Sequence, residues 1–374
     1  MQSDRQIFGL DVLRAFAILS VLYHHADVFF ANQIDLTLYH ALMPDGVALF
    51  FVLSGYLIGR ILLKTLNTNP ADFQTLKSFW INRWYRTLPA YYVVLVAIIA
   101  CDMIWPRDFP PFPEAIAYFL FSQNFTSGHL TGFEESWSLS VEEWFYLSTP
   151  LIFYAFLQLT NLKRATVMVL ATVIIGVNLL RSYKIYFQGI DDLAEWDEAI
   201  RTTILNRLDS IMFGVLGAYL AYYRFTIWEK YNHQFFYSGL IFLFALTFLF
   251  SYYHPSKPLL YLMIPLESLA TLMMIPKLSR VQGRKGPVAR FITLVSLISY
   301  SMYLVHGALY SYILQPFMPN NYTAFAAYLL WAFGLSWLLY QTVEKWGMDR
   351  RNKINQKLKG REQDESYNKR GAIS

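Results

Sequence analysis

Charge is what this chain has little of. Only 15% of its 374 residues are Asp, Glu, Lys or Arg, against about 25% in a soluble globular domain. It has a single cysteine, Cys101. That excludes an intramolecular disulfide, and no CxxC or Cys/His cluster points to zinc. A Gly-rich phosphate loop, a strand-like alternation and a repeat of about 20–50 residues are missing as well. No small-residue cleavage site ends the first apolar stretch, so it is expected to stay as a helix rather than leave as a signal peptide. What is abundant is apolar surface: 55% hydrophobic and 18% aromatic residues, in long runs. The composition is that of an all-α integral membrane protein. The net charge of +5 sits in short loops and in the tail, so it implies no nucleic-acid partner.

About 20 apolar residues span the hydrocarbon core. By that measure about ten transmembrane helices are expected, near residues 8–30, 41–63, 88–105, 139–160, 165–181, 200–223, 235–253, 258–276, 290–313 and 323–345. The apolar but short stretch 113–125 is expected to be re-entrant or interfacial. With both termini cytoplasmic, the inside loops, Arg5 and the tail hold 24 Lys and Arg against 5 outside, which is the positive-inside pattern. Residues 1–350 therefore read as a transmembrane domain and 351–374 as a basic cytoplasmic tail.

Ionisable residues at membrane depth are costly and usually face a cavity or a partner. Here they are Asp11, Arg14, His24, His25, Glu142, Glu143, Arg207, Asp209, Glu267, His306 and Glu344. Arg14 and His25 are eleven positions apart, hence within about 20° on one helix face and about 16 Å apart along the axis. His24 lies about 80° off that face. Arg14 can snorkel and the histidines can be satisfied interior groups. Two such groups on one stripe favour a functional cavity, where a neutral His25 is suited to act as a general base.

In "NRWYRTLPAYY" (82–92), Arg83 and Arg86 share a helix face. They can bind phosphate bidentately or simply anchor the topology. In "SWSLSVEEWFYL" (136–147), Ser138 and Glu142 lie one turn apart, and Glu143 points about 100° away from Glu142. Glu142 can orient the histidine, bind an acceptor hydroxyl or pair with Arg207. In "RLDSIMFGVLGAYL" (207–220), Arg207 has Asp209 nearby as a pair. Gly214 and Gly217 there allow close helix approach.

These pieces, in this order, resemble the acyltransferase family 3 membrane proteins over nearly the whole chain, from Leu10 to about Arg350. "LDVLRAFAILSVLYHHA" resembles the first-helix motif, with Arg14 and His25 in its two polar places. "GVALFFVLSGYLI" resembles the second-helix signature, although Ala48 stands where the family commonly has an acidic or polar residue. "RWYR" matches the RxxR element as Arg83 and Arg86, and "WSLSVEEWFYL" the SxxxE element as Ser138 and Glu142. "RLDSIMFG" and "SYSMYLVH" resemble later motifs. In "VEKW" only Glu344 matches, because Trp346 replaces a usual proline.

The resemblance implies a multi-pass O-acyltransferase of a bacterial inner membrane. Its donor is an acyl-CoA, acetyl-CoA most often, on the cytoplasmic side. Its acceptor is a hydroxyl of an extracytoplasmic or lipid-linked saccharide such as exopolysaccharide or O-antigen. Carried over residue by residue, Arg83 and Arg86 would meet the CoA phosphates, Arg14 would line the tunnel, and His25 would be the base. Glu142 and Ser138 would position the acceptor or hold His25 in its productive tautomer. No metal is implied, and a homodimer stays open. An appended esterase domain is not expected, which makes the chain a stand-alone acyltransferase core. The rivals are a transporter or flippase, which many inverted repeats would favour, and a receptor or scaffold without chemistry. The sequence shows no repeat between its halves, and a scaffold leaves the Arg14–His25 stripe unexplained.

Overall fold

The computed structural model describes residues 7–356, apart from 32, 70, 71, 108, 129, 254, 284, 319 and 320. Arg5, Arg284 and the tail from 357 onward lie outside the described residues. Among these residues the secondary structure is entirely helical. Ten helices have 16 residues or more: α1 Phe8–His24, α2 Gly46–Thr68, α3 Phe73–Ile104, α4 Ser136–Leu157, α5 Leu162–Ser182, α6 Leu208–Tyr223, α7 Asn232–Tyr252, α8 Lys257–Leu278, α9 Pro287–Val305 and α10 Tyr322–Leu339. Eight candidate spans are long and apolar enough to cross a membrane. The two remaining helices are α6, which is apolar but shorter, and α4, which carries Glu142 and Glu143. This is a polytopic, all-α membrane fold. Its many exposed large apolar side chains, such as Leu330 and Phe187, have lipid as their natural solvent.

Small residues bring the inner helices together, as bilayer packing requires where lipid tails compete equally for apolar contact. α2 and α6 cross at Gly55 and Gly214. A Cβ added at Gly214 would lie 2.1 Å from the Val52 carbonyl oxygen, and one at Gly55 would lie 1.9 Å from that of Ile211. Backbone cannot yield there. Gly214→Val is expected to cost at least the roughly 1–3 kcal/mol of an overpacked core. In detergent this appears as a melting temperature several degrees lower and a smaller monodisperse peak. A melting curve superimposable on the parent's would remove this contact from the account.

Three boundaries differ from the hydropathy reading by eight residues or more, each for a local reason. α3 starts at Phe73 rather than near 88, because its first turns are too polar to count as a span. They are nevertheless packed: Trp80 Nε1 donates to the Tyr146 carbonyl (3.0 Å), and Asn355 donates to Asn82 (2.7 Å) from a helix that continues beyond α10. α6 starts at 208 rather than 200. Residues 197–201 form a π turn and 204–206 a 3-10 turn, and their carbonyls are met by side chains. Arg181 donates to Asn206 O (2.7 Å) and Asn124 to Thr202 O (2.6 Å). α9 ends at Val305 rather than 313, where the chain breaks at Gly307. Glu135 fills the space a side chain would take at Gly307 and accepts the Ala308 N–H at 2.8 Å.

The segment 113–125 contains one short helix, Ile116–Phe119. It is fastened to α3 by Tyr91 and Tyr92, whose hydroxyls donate to the carbonyls of Tyr118 and Phe119 at 2.8 and 2.9 Å. Trp144 of α4 donates to Phe121 O at 2.8 Å. Irregular backbone is tolerated among membrane helices when protein groups satisfy it in this way.

Candidate active site

Two cavity systems lie inside the bundle, one around the N-terminal half of α1 and one beyond its C-terminal end. The first has a volume of about 130 Å³. It is lined by Arg14, Arg83 and Arg86, by Ser138, Glu142 and Tyr146, and by Tyr300 and Tyr303. α1, α3, α4 and α9 each place side chains there at helical spacing. All three guanidinium groups expected from the sequence therefore share one space, together with Ser138 and Glu142.

The Arg14 head is fixed from one side. Asp11 lies at 3.3 Å, and Ser296 accepts from Arg14 at 3.1 Å while donating to Asp11 at 2.8 Å. Arg86 is close enough to interact electrostatically with both Arg14 and Arg83. Arg83 is half-buried with its Nε unpartnered, and Arg86 is exposed. Glu142 accepts from Tyr146 at 2.9 Å, and Ser54 lies 3.1 Å from the same hydroxyl. Glu143 faces elsewhere, accepting from Thr87 at 2.8 Å. Three positive groups against one facing carboxylate make a cavity that attracts an anion.

The second system is wider. One lobe of about 840 Å³ is lined by His24, His25, Asp45, Trp137, Arg201, Arg207, Glu267 and Tyr303, among others. A second lobe of about 500 Å³ shares His25 and Glu135 and adds His306. The starts of α2, α4 and α6 meet the ends of α1 and α9 here. His25 is the C-cap of α1 and is exposed to this space. Its ring stands edge-on to that of His306, with centroids 4.8 Å apart. His306 is fully buried, and its Nδ1 lies 2.8 Å from the Tyr303 carbonyl. A carbonyl only accepts, so Nδ1 carries the hydrogen, and Nε2 has no hydrogen-bond partner among the described residues. His24, by contrast, has both ring nitrogens engaged, with His40 at 3.2 Å and the Met43 carbonyl at 3.0 Å.

Tyr303 joins the two systems. It lines both the small cavity and the large lobe, as does Val47. Its hydroxyl accepts from Ser138 at 2.7 Å and donates to the Glu135 carbonyl at 3.0 Å. Ser138 is thus part of a hydrogen-bonded partition between the arginines and His25. Burial pushes the Glu135 carboxyl, just outside α4, up to about 7. Burial would lower Arg201, but Asp197 and Asp45 outweigh it and hold the guanidinium above its ordinary value.

Some pairings differ from those read in the sequence. Asp209 pairs with Arg181 at 2.8 Å rather than with Arg207, because Arg207 stands before the first turn of α6 and its side chain leaves toward the lobe. The carboxylate nearest Arg207 is Asp45, at 3.9 Å, and Glu142 is hydrogen-bonded within its own helix. Glu344 is buried and accepts from Ser301, tying the π turn that follows α10 to α9. Tyr303 lies within "SYSMYLVH", where nothing in the sequence separates it from the neighbouring apolar residues. Asp45 and Arg201 fall at the edges of the expected spans 41–63 and 200–223 and carry no motif there; the structure puts them outside the helices, at the N-cap of α2 and in the π turn before α6.

A family model described as "Acyltransferase domain" matches residues 7–341. The peptidoglycan O-acetyltransferase OatA of Listeria monocytogenes is 30% identical over 191 residues, 48% of this chain and 28% of that protein. A Bacillus subtilis protein provisionally named peptidoglycan O-acetyltransferase YrhL is 34% identical over 164 residues, 40% of this chain and 24% of its own length. The aligned part thus spans about a quarter of these relatives. No solved structure matches the chain. The family match takes in every helix that lines the two cavities and every expected site residue, and the chain belongs to the acyltransferase 3 family of membrane acyltransferases.

Proposed function

We propose that this acyltransferase moves an acetyl group from acetyl-CoA, bound from the cytoplasmic side, to a hydroxyl of a saccharide on the outer side of a bacterial plasma membrane. The observation that carries the reading is the meeting of an arginine-lined cavity and a His25-lined vestibule at Tyr303 and Val47. A volume of about 130 Å³ is well below the roughly 300–1,000 Å³ of sites that enclose a whole ligand. It suits the narrow pantetheine arm. The nucleotide end would remain at the mouth, on exposed Arg86 and on Arg83, where guanidinium forks meet phosphate. Arg14 then lies along the arm. For the thioester to reach His25, the Ser138–Tyr303 hydrogen bond has to open.

His25 takes the proton from the acceptor hydroxyl as that oxygen attacks the thioester carbonyl. The C–S bond breaks, the new C–O ester bond forms, and the thiolate leaves and is protonated to free CoA. A prior acyl-enzyme followed by the same attack is equally compatible with the arrangement. Among acceptors, peptidoglycan comes first because the similar proteins carry it in their names; exopolysaccharide and O-antigen follow. The direct test is acetyl-CoA-dependent release of thiol by the purified protein with each polymer. Silence with all of them would leave the transporter reading standing.

The sidedness has its own test. The Lys and Arg distribution of the loops predicts cytoplasmic termini. Reporter fusions at Thr68 and Asn232 are then expected to read inside and those at Gln33 and Pro255 outside. An outside signal at Thr68 would turn the arginine cavity away from the CoA pool.

A further inference from the structure

We propose that Arg207, Glu267 and Asp45 form the subsite that grips an uncharged, hydroxyl-rich sugar ring of the acceptor beside His25. The inference rests on the acyl-transfer reading and adds to it the place and chemical class of the acceptor. The 840 Å³ lobe far exceeds what an acetyl thioester needs, so most of it is left for something else. Arg207 and Glu267 line it and are buried, with 1% and 4% of their surface exposed. Both carry unpartnered polar atoms: Nε and Nη2 of Arg207, and Oε1 of Glu267. A buried charged group with unused hydrogen-bonding capacity is costly. Where the role is structural, this chain sets a carboxylate directly on a buried arginine, as the 2.8 Å Arg181–Asp209 pair shows, and leaves only Nε of Arg181 open. At Arg207 it does not: Asp45 stands 3.9 Å away, beyond hydrogen-bond range.

The pattern of open positions defines the ligand. Donors on Arg207 and an acceptor on Glu267 call for a group that both accepts and donates, which is what a hydroxyl or a neutral amide does. A phosphate or carboxylate would satisfy Arg207 but meet Asp45, Glu267 and Asp197. An ammonium would meet Arg207 and Arg201, although Arg201 is already paired with Asp197 and lies 3.6 Å from Asp45. The cluster is also coupled to the chemistry, since Asp45 and Arg201 are within electrostatic reach of both His25 and Glu267.

The test uses the full chain in lipid nanodiscs and isothermal titration with two probes of equal length, an N-acetylglucosamine tetramer and a tetramer alternating N-acetylglucosamine with glucuronate. The neutral tetramer is expected to bind at least tenfold tighter. Glu267→Gln, nearly isosteric, and Arg207→Gln are each expected to weaken it at least tenfold while acetyl-CoA binding stays within twofold. Equal or tighter binding of the uronate probe overturns the proposal. So does unchanged tetramer binding in Glu267→Gln, or no binding of either probe to the parent. If those failures occur while the protein still releases CoA from acetyl-CoA in the presence of a polymer, only the subsite falls. If acetyl-CoA neither binds nor turns over, the acyl-transfer reading falls with it. Elution as a monodisperse peak separates lost binding from lost folding, and Glu267→Gln stands alone if Arg207→Gln does not fold.

Discussion

Replacing His25 with alanine is expected to lower turnover by about 10²–10⁴-fold, the usual worth of a positioned acid–base group. His24→Ala is expected to leave turnover per folded molecule within a few fold. The two residues are neighbours in sequence and opposite in circumstance. His24 spends both ring nitrogens on His40 and the Met43 carbonyl, so its loss loosens the loop before α2 and shows in stability. His25 opens onto the vestibule with the ring of His306 edge-on to it, so it can offer a nitrogen to a hydroxyl proton. Both substitutions make α1 more apolar, so both variants are expected to insert as well as the parent. The measurement is acyl transfer normalised to membrane protein. An active His25→Ala beside a dead His24→Ala would show that the base is the wrong histidine.

The second large effect concerns the donor. Arg83→Ala and Arg86→Ala each remove a charge-assisted phosphate contact, worth roughly 1.5–3 kcal/mol. The KM for acetyl-CoA is then expected to rise about ten- to a hundredfold, with the KM for the acceptor unmoved. Arg86 is exposed at the mouth while Arg83 is half-buried, so removing Arg86 is expected to act on phosphate binding with no loss of stability. A loss confined to kcat in both variants, with the KM for acetyl-CoA unmoved, would mean that these arginines position something other than the nucleotide.

Most of the helical architecture was legible from hydropathy because lipid imposes a length on every span. Helical geometry alone put Arg14 and His25 on one stripe, but α1 ends at His24, and the two side chains line different cavities. The start of α3 was not, since its polar first turns resemble a loop until Trp80 and Asn82 are seen to be held by α4 and by the helix beyond α10. Tyr303 was hidden for a different reason. One more aromatic in an apolar run carries no signal until its hydroxyl is found bridging Ser138 and Glu135. The vestibule cluster was the least legible. Asp45, Arg201, Arg207 and Glu267 come from four separate elements, and only tertiary packing brings them to one wall. Arg207 and Glu267 did appear among the intramembrane ionisable residues, but sequence proximity assigned Arg207 to Asp209, whose partner is Arg181.

The central claim is that one continuous path carries an acetyl group from the arginine cavity to the vestibule. Sealed proteoliposomes test it most directly, with labelled acetyl-CoA supplied only at the face bearing Thr68 and Asn232 and peptidoglycan fragments only at the face bearing Gln33 and Pro255. The account predicts labelled ester on the fragments and one free thiol for each ester formed, both abolished in His25→Ala. Thiol release without label crossing to the fragments, or label on fragments only when donor and acceptor share a face, would contradict it.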